Sequence, residues 1–204
     1  QIFYKDTVLK MFDVPVFYFP KFFHPDPSVI RQSGFLKPEL NESKTLGTSF
    51  YLPYFHVISD NKDLTLKPTI FDSKIIMFQN EYRQENENSS FIADLGLTNG
   101  YQSSIEGSNR NNMTHLFAKY KSDLKLENFS KSDLEISLEK TSNDTYLTLF
   151  DANIPETEIK PKNKSKLKSE IKLNLDHERF SISGGTQIYE TLSGKNSDKF
   201  QYIF

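Results

Sequence analysis

Residues 14–53 read VPVFYFPKFFHPDPSVIRQSGFLKPELNESKTLGTSFYLP, and the division of this stretch decides the fold. Its first part is aromatic and punctuated by Pro15, Pro20, Pro25 and Pro27. Residues 14–19 are apolar on both faces of an extended chain, as in a strand buried between two sheets. His24-Pro25-Asp26-Pro27 reads as an irregular linker, because each proline pushes its predecessor out of helical geometry. After Arg31-Gln32-Ser33-Gly34 the text becomes strand-like, in Phe35-Leu36-Lys37-Pro38 and then Tyr51-Leu52-Pro53-Tyr54. Proline brings no N–H to a β-ladder, so Pro38 and Pro53, fifteen residues apart in paired strands, mark a weakly bonded edge. Such an edge either guards against aggregation or serves to open.

Upstream, residues 2–4 form a short strand pattern that ends at the turn-like Lys5-Asp6-Thr7. Downstream of Gly34 the alternation has period two, the mark of antiparallel strands with one apolar face. Phe50, Leu52, Tyr54, His56 and Ile58 share one face, against Ser49, Tyr51, Pro53, Phe55 and Val57. Leu64, Leu66, Pro68 and Ile70 oppose Thr65, Lys67 and Thr69. Asp72-Ser73 turns the chain into a strand where Ile76, Phe78 and Tyr82 oppose Gln79, Glu81 and Arg83. Phe91, Ala93, Leu95 and Leu97 mark the next strand, and residues 98–112 read as a longer loop. Strands resume at 113–121, 134–140 and 171–175. Residues 180–189 form another, with Gly184-Gly185 read as a bulge. This gives about nine or ten strands, joined by alternating short and long connections as in a barrel, with no amphipathic helix. Residues 155–168, with Pro155, Pro161 and alternating lysines, are expected to be exposed and mobile.

Composition narrows the class. Hydrophobic residues make up only 36% of the 204, yet aromatics reach 14%, with 18 Phe, 10 Tyr and no Trp. That mixture suits strands apolar on one face and polar on the other better than a compact α/β enzyme. The net charge of −2 gives no reason to expect a nucleic-acid partner. No apolar run reaches the roughly 18 residues a membrane-spanning helix needs, which leaves barrel strands open. With no cysteine the redox compartment is undetermined. The chain begins at Gln1 and breaks off in mid-pattern at Tyr202-Ile203-Phe204, so it reads as an internal piece of a longer protein.

The motifs VPVFYFP, RQSGFLKP and YLPYF, in that order, resemble the lipopolysaccharide-assembly outer-membrane protein family (LptD, also called OstA or Imp) at the junction of its periplasmic β-jellyroll and its barrel. The likeness continues through Asp63-Leu64-Thr65-Leu66-Lys67-Pro68, Asn80-Glu81-Tyr82-Arg83 and Ser142-Asn143-Asp144-Thr145-Tyr146-Leu147. It implies an all-β chain, with residues 1–33 the end of the jellyroll and its linker, and residues 34–204 the first part of a transmembrane barrel. The implied function is transport of lipopolysaccharide and its insertion into the outer leaflet of the Gram-negative outer membrane, through a lumen and a lateral gate. In this family, prolines at the motif positions of Pro38 and Pro53 loosen the seam between first and last strands. Phe12, Val14, Val16 and Tyr18 would lie on an acyl-chain path, and Lys67, Glu81 and Arg83 would be lumen contacts. The implied partners are lipopolysaccharide, outer-membrane lipids, the plug lipoprotein LptE and the periplasmic bridge LptA. The N-terminal part would be periplasmic and the rest would lie in the outer membrane.

No signature of catalysis is present. His24, His56, His115 and His177 do not have ligand spacing, and there is no GxSxG, phosphate loop or cysteine nucleophile. No enzyme activity, cofactor or metal is therefore expected. Asn-x-Ser/Thr matches at Asn41, Asn88, Asn112, Asn128, Asn143 and Asn163 arise readily in a chain this rich in Asn and Ser. Two other classes remain open on the residues alone. A porin or receptor barrel would share the alternation without needing two seam prolines. A soluble β-sandwich acting on polysaccharide would need clustered carboxylates and aromatics, which the sequence does not bring together at short range.

Overall fold

The computed structural model describes residues 2–11, 14–24, 31–43, 45–100, 112–193 and 199–204. Internal contacts divide the chain into two units, Gln1–Ser33 and Gly34–Phe204. The first holds a hairpin of β1 (Ile2–Met11) and β2 (Val14–His24), paired antiparallel from Ile2↔His24 to Met11↔Val14. Lys5-Asp6-Thr7 is not the expected turn. Asp6 takes φ 53° inside a continuous strand, between the pairs Lys5↔Lys21 and Thr7↔Phe19 and so opposite Pro20. The register slips again beside Pro15, between Leu9 and Lys10. Each irregularity falls where a proline withholds a ladder donor.

The second unit is a single 12-stranded sheet. Its strands are β3 (Gly34–Phe35), β4 (Glu39–Ser43), β5 (Gly47–Tyr51), β6 (Tyr54–Ser59), β7 (Lys62–Phe71), β8 (Ile76–Glu85), β9 (Ser89–Asn99), β10 (Met113–Asp123), β11 (Lys131–Thr141), β12 (Lys166–His177), β13 (Phe180–Thr191) and β14 (Phe200–Ile203). From β7 to β14 neighbours in sequence are neighbours in space, and all pairs are antiparallel. The order is β14-β13-β12-β11-β10-β9-β8-β7-β5-β4, with β6 pairing β7 and β3 pairing β6. The sheet is open, with β14 at one edge and β4 at the other. It has more strands than the alternation suggests because the stretches containing Pro38 and Pro53 are each cut in two. Gly184 and Gly185 form no bulge, since β12 and β13 stay in register through Leu173↔Gly184 and Lys172↔Gly185. What Gly185 provides is a close approach: a Cβ there would lie 2.3 Å from the Ile171 carbonyl oxygen.

The two faces of this sheet differ. On β8, Phe78 is 53% exposed while its neighbour Gln79 is 2% exposed, so the strand turns its apolar residues outward and its polar ones inward. Ile70, Leu95, Leu97, Leu116, Ile136, Leu138, Ile171 and Ile182 extend the open apolar face. The opposite face is covered by the connection between β11 and β12. There the chain makes α1 (Tyr146–Phe150), a 3-10 turn (Asp151–Asn153) and an irregular, turn-containing return to Lys166. A five-residue helix is too short to stand alone. Asn143 starts it, its carbonyl accepting the Tyr146 N–H at 3.1 Å and its side chain accepting the Thr145 N–H at 2.9 Å. Burial then holds it, because Tyr146, Leu147 and Phe150 pack on Phe71, Met77, Met113 and Phe117.

This packing corrects part of the expectation of an exposed 155–168 loop, of which residues 162–165 do stay exposed. Ile159, Pro161 and Leu167 are buried. The Lys160 side chain is 7% exposed, with its ammonium 3.3 Å from Asp151 and 2.5 Å from Glu156. The apolar anchors Ile154 and Ile159 pull the segment in, and carboxylates meet the lysine that comes with them.

Candidate functional site

The edge strands are broken at the level of the prolines. β3 meets β6 through Gly34↔Phe55 and Phe35↔Tyr54, and β4 meets β5 from Glu39↔Tyr51 to Ser43↔Gly47. Residues 36–38 therefore lie across from residues 52–53, three against two, as in a bulge. The Leu36 N–H donates to the Pro53 carbonyl at 2.8 Å across this gap. In an antiparallel ladder, successive residues aim their polar groups at opposite neighbours. Because Thr48 accepts from Asp72 beyond β7, even-numbered residues of β5 aim at β7 and odd-numbered ones at β4. The partners Glu39, Asn41 and Ser43 aim back, so Pro38, just before β4, falls on the side facing the free edge. Pro53 faces the first strand, as its bond with Leu36 shows. One proline thus withholds a donor from the outer edge and the other from the first ladder. Pro38 is exposed and Pro53 buried.

On the covered face, cross-strand pairing puts Lys67, Gln79, Gly96 and His115 in one row across β7, β8, β9 and β10. The adjoining row holds Thr65, Glu81, Asp94 and Phe117. His115 is 1% exposed, with Nδ1 2.7 Å from the Tyr146 hydroxyl and Nε2 3.3 Å from Asp94. Burial, with the Asp94 charge adding to it, pushes the Tyr146 phenol well above its ordinary range, so it remains a proton donor. His115 Nδ1 and the Tyr146 hydroxyl share a hydrogen bond, while Nε2 lies beside Asp94 without a hydrogen-bond partner. His115 also stacks on Phe117, with ring centroids 4.3 Å apart. This contact ties α1 to the sheet, and the sequence analysis missed it. The only signal was an apolar-flanked histidine and a tyrosine 31 positions apart.

Lys67 lies in this covered region. Its ammonium donates to the Asn153 carbonyl at 2.7 Å and sits 4.0 Å above the Tyr51 ring. The Asn153 side-chain amide donates to Ser49 Oγ at 3.0 Å, and the Tyr51 hydroxyl donates to the Glu39 carboxylate. Arg83 is half-exposed and pairs with Asp63 at 2.8 Å and Glu81 at 3.5 Å. Lys67, Glu81 and Arg83 thus share one face, but Lys67 is engaged by the folded-in connection. Gln79 is buried there with neither polar atom hydrogen-bonded. Beside the connection, Lys119, Lys166, Lys168, Glu139, Glu170 and Tyr189 are among the residues that line a cavity of about 370 Å³.

Among the residues assigned to the acyl path, Tyr18 is exposed in β2 and its hydroxyl donates to Asp6. Val14 and Val16 belong to β2, and Phe12 lies outside the described residues. His56 is exposed beside Tyr54, and His177 stacks on Phe180 at 4.7 Å. Among the described residues no group of three or more His, Cys, Asp or Glu could hold a metal ion. No helix there is long and apolar enough to cross a membrane, which says nothing of strands.

The sheet and its covered face define the class as an all-β, antiparallel, open-edged chain with opposed apolar and polar faces. No family model matches it. It is similar to the LPS-assembly protein LptD of Francisella tularensis subsp. novicida, with 28% identity over 97% of this chain and 25% of that protein. With LptD of Pseudoalteromonas translucida the identity is 27% over 72% of the chain and 19% of that protein. With LptD of Ectopseudomonas mendocina it is 37% over 41% of the chain and 9% of that protein. The chain spans a quarter or less of the length of these curated relatives. The matches bear out the resemblance drawn from the motifs: over nearly its whole length the chain is similar to a portion of LPS-assembly protein LptD.

Proposed function

We propose that residues 34–204 form part of an outer-membrane barrel wall that passes lipopolysaccharide to the outer leaflet, and that the Pro38/Pro53 edge is the seam through which it leaves. The observation that carries this reading is the break in the first two strands, where prolines withhold donors from the outer edge and from the first ladder. A bilayer leaves backbone groups no water to bond with, so a seam short of donors is a place where strands part at low cost. The apolar open face would meet acyl chains, and the polar covered face would line the route of the sugars. Residues 1–33 would close a periplasmic jellyroll, with Phe12, Val14, Val16 and Tyr18 on the acyl path. The partners would be lipopolysaccharide, outer-membrane lipids, LptE and LptA. The process needs no covalent chemistry on this chain.

The test is replacement of Pro38 and Pro53 together by Ala in the intact protein. Each Ala restores a donor whose bond is worth about 0.5–1.5 kcal/mol in water, and more in lipid. Lipopolysaccharide export should slow, and cells should become more permeable to large hydrophobic antibiotics at normal or raised surface abundance of the protein. Unchanged permeability at normal abundance would mean that the prolines only guard an edge.

A further inference from the structure

We propose that Pro68 is a third hinge position, and that the two proline-broken strands, residues 34–59, swing as one flap against β7. This deepens the gate reading above and rests on it for its purpose, though the hinge itself can be tested separately. Pro38, Pro53 and Pro68 recur every fifteen residues on three successive strands. β7 pairs with β5 through residues 69–71 and with β6 through residues 62–66, so Lys67 and Pro68 face the gap at residues 52–53.

The direction of the missing donor follows from the ladder. The Phe71 N–H donates to Ile75 on the β8 side, and the Asp72 N–H donates to Thr48 on the β5 side. Odd-numbered residues of β7 therefore aim at β8 and even-numbered ones at β5 and β6. Pro68 is even-numbered, and the register on both sides of the gap sets it opposite Leu52. Its absent N–H would have bonded the Leu52 carbonyl. Three successive boundaries, the free edge, the first ladder and the second, thus each lack a donor at one level. A proline within a strand that has neighbours on both sides is otherwise disfavoured, since it removes a ladder bond. With β7 unbroken and firmly paired to β8, the flexible line lies between β7 and the two strands before it.

The experiment is residue-resolved amide hydrogen exchange on the full-length protein in lipid nanodiscs, comparing the parent with Pro68→Ala. Exchange at Phe50, Leu52 and Tyr54 should slow about tenfold, the effect of one added ladder bond, while amides of β9 and β10 stay unchanged. A nitroxide pair at Glu42 and Asn80 should show a narrower distance distribution in the variant. Pro68→Val restores the same donor with a strand-favouring residue and gives the readout where the alanine variant assembles poorly. Unchanged exchange at residues 50–54, or a uniform slowing across the sheet, would overturn the hinge. Local slowing with normal lipopolysaccharide export in both Pro68→Ala and the Pro38/Pro53 double variant would uphold the hinge and remove the gate reading.

Discussion

A methyl group added at Gly96 would lie 2.3 Å from His115 Cε1, 2.4 Å from Nδ1 and 2.8 Å from the Tyr146 hydroxyl. The His115 ring is packed against Phe117 on one side and Tyr146 on another, so it has no free direction in which to yield. Gly96→Ala should therefore destabilise the sheet by about 1–3 kcal/mol through overpacking. Tyr146→Phe, which removes only the hydroxyl, should cost about 1 kcal/mol. Urea unfolding in detergent, followed by circular dichroism, measures both, and a stability equal to the parent's in Gly96→Ala would refute the packing argument. None of this was legible in the sequence, because β-pairing sets residue 96 beside 115 and the folded-in connection then brings residue 146 onto them. The opposed faces of β7 and β8 were legible, since Phe78 and Gln79 differ in kind and alternate by one.

The connection between β11 and β12 is held by residues that composition hides. Its lysines and prolines read as a solvated loop, yet Tyr146, Leu147, Phe150, Ile154 and Ile159 supply enough apolar surface to fold it onto the sheet. Its charges act as pins. Lys121, at 2.9 Å, and Lys119, at 3.4 Å, hold the Glu158 carboxyl below its usual range. Burial alone would raise Asp151, but Lys164 at 2.6 Å and Lys160 at 3.3 Å outweigh it and bring Asp151 below its usual range. A carboxylate whose folded pKa is depressed stabilises the folded state above its unfolded pKa, and loses that contribution as pH falls through the folded value. Acidification through the carboxylate range should thus loosen residues 151–164 while the strands persist. Limited proteolysis across a pH series should show cleavage rising there, and Glu158→Gln should show part of that rise already at neutral pH. Equal cleavage at all pH values would remove the pinning role of these pairs.

Across the whole sheet, the outward row from Ile70 and Phe78 to Leu97, Leu116 and Ile171 is too continuous an apolar surface to leave in water. The strands should keep their structure only in lipid or detergent and aggregate on its removal, as light scattering would show. Phe78→Lys should cost about 2–4 kcal/mol in lipid vesicles if this position lies near mid-bilayer. An equal cost in water-soluble form would place the face elsewhere. The alternation made this surface readable residue by residue, whereas the strand breaks at residues 36–38 and 52–53 needed the pairing partners.

Asn153 touches both sides of the broken region, its carbonyl receiving Lys67 of β7 and its amide reaching Ser49 of β5. One residue of the inward connection therefore staples together the two strands between which Pro68 leaves a bond unmade. Anything that lifts the connection off the sheet also removes that staple, and by reciprocity anything that parts β5 from β7 weakens the connection's hold by the same free energy. Lifting the connection and parting β5 from β7 are, in this geometry, two readings of a single equilibrium.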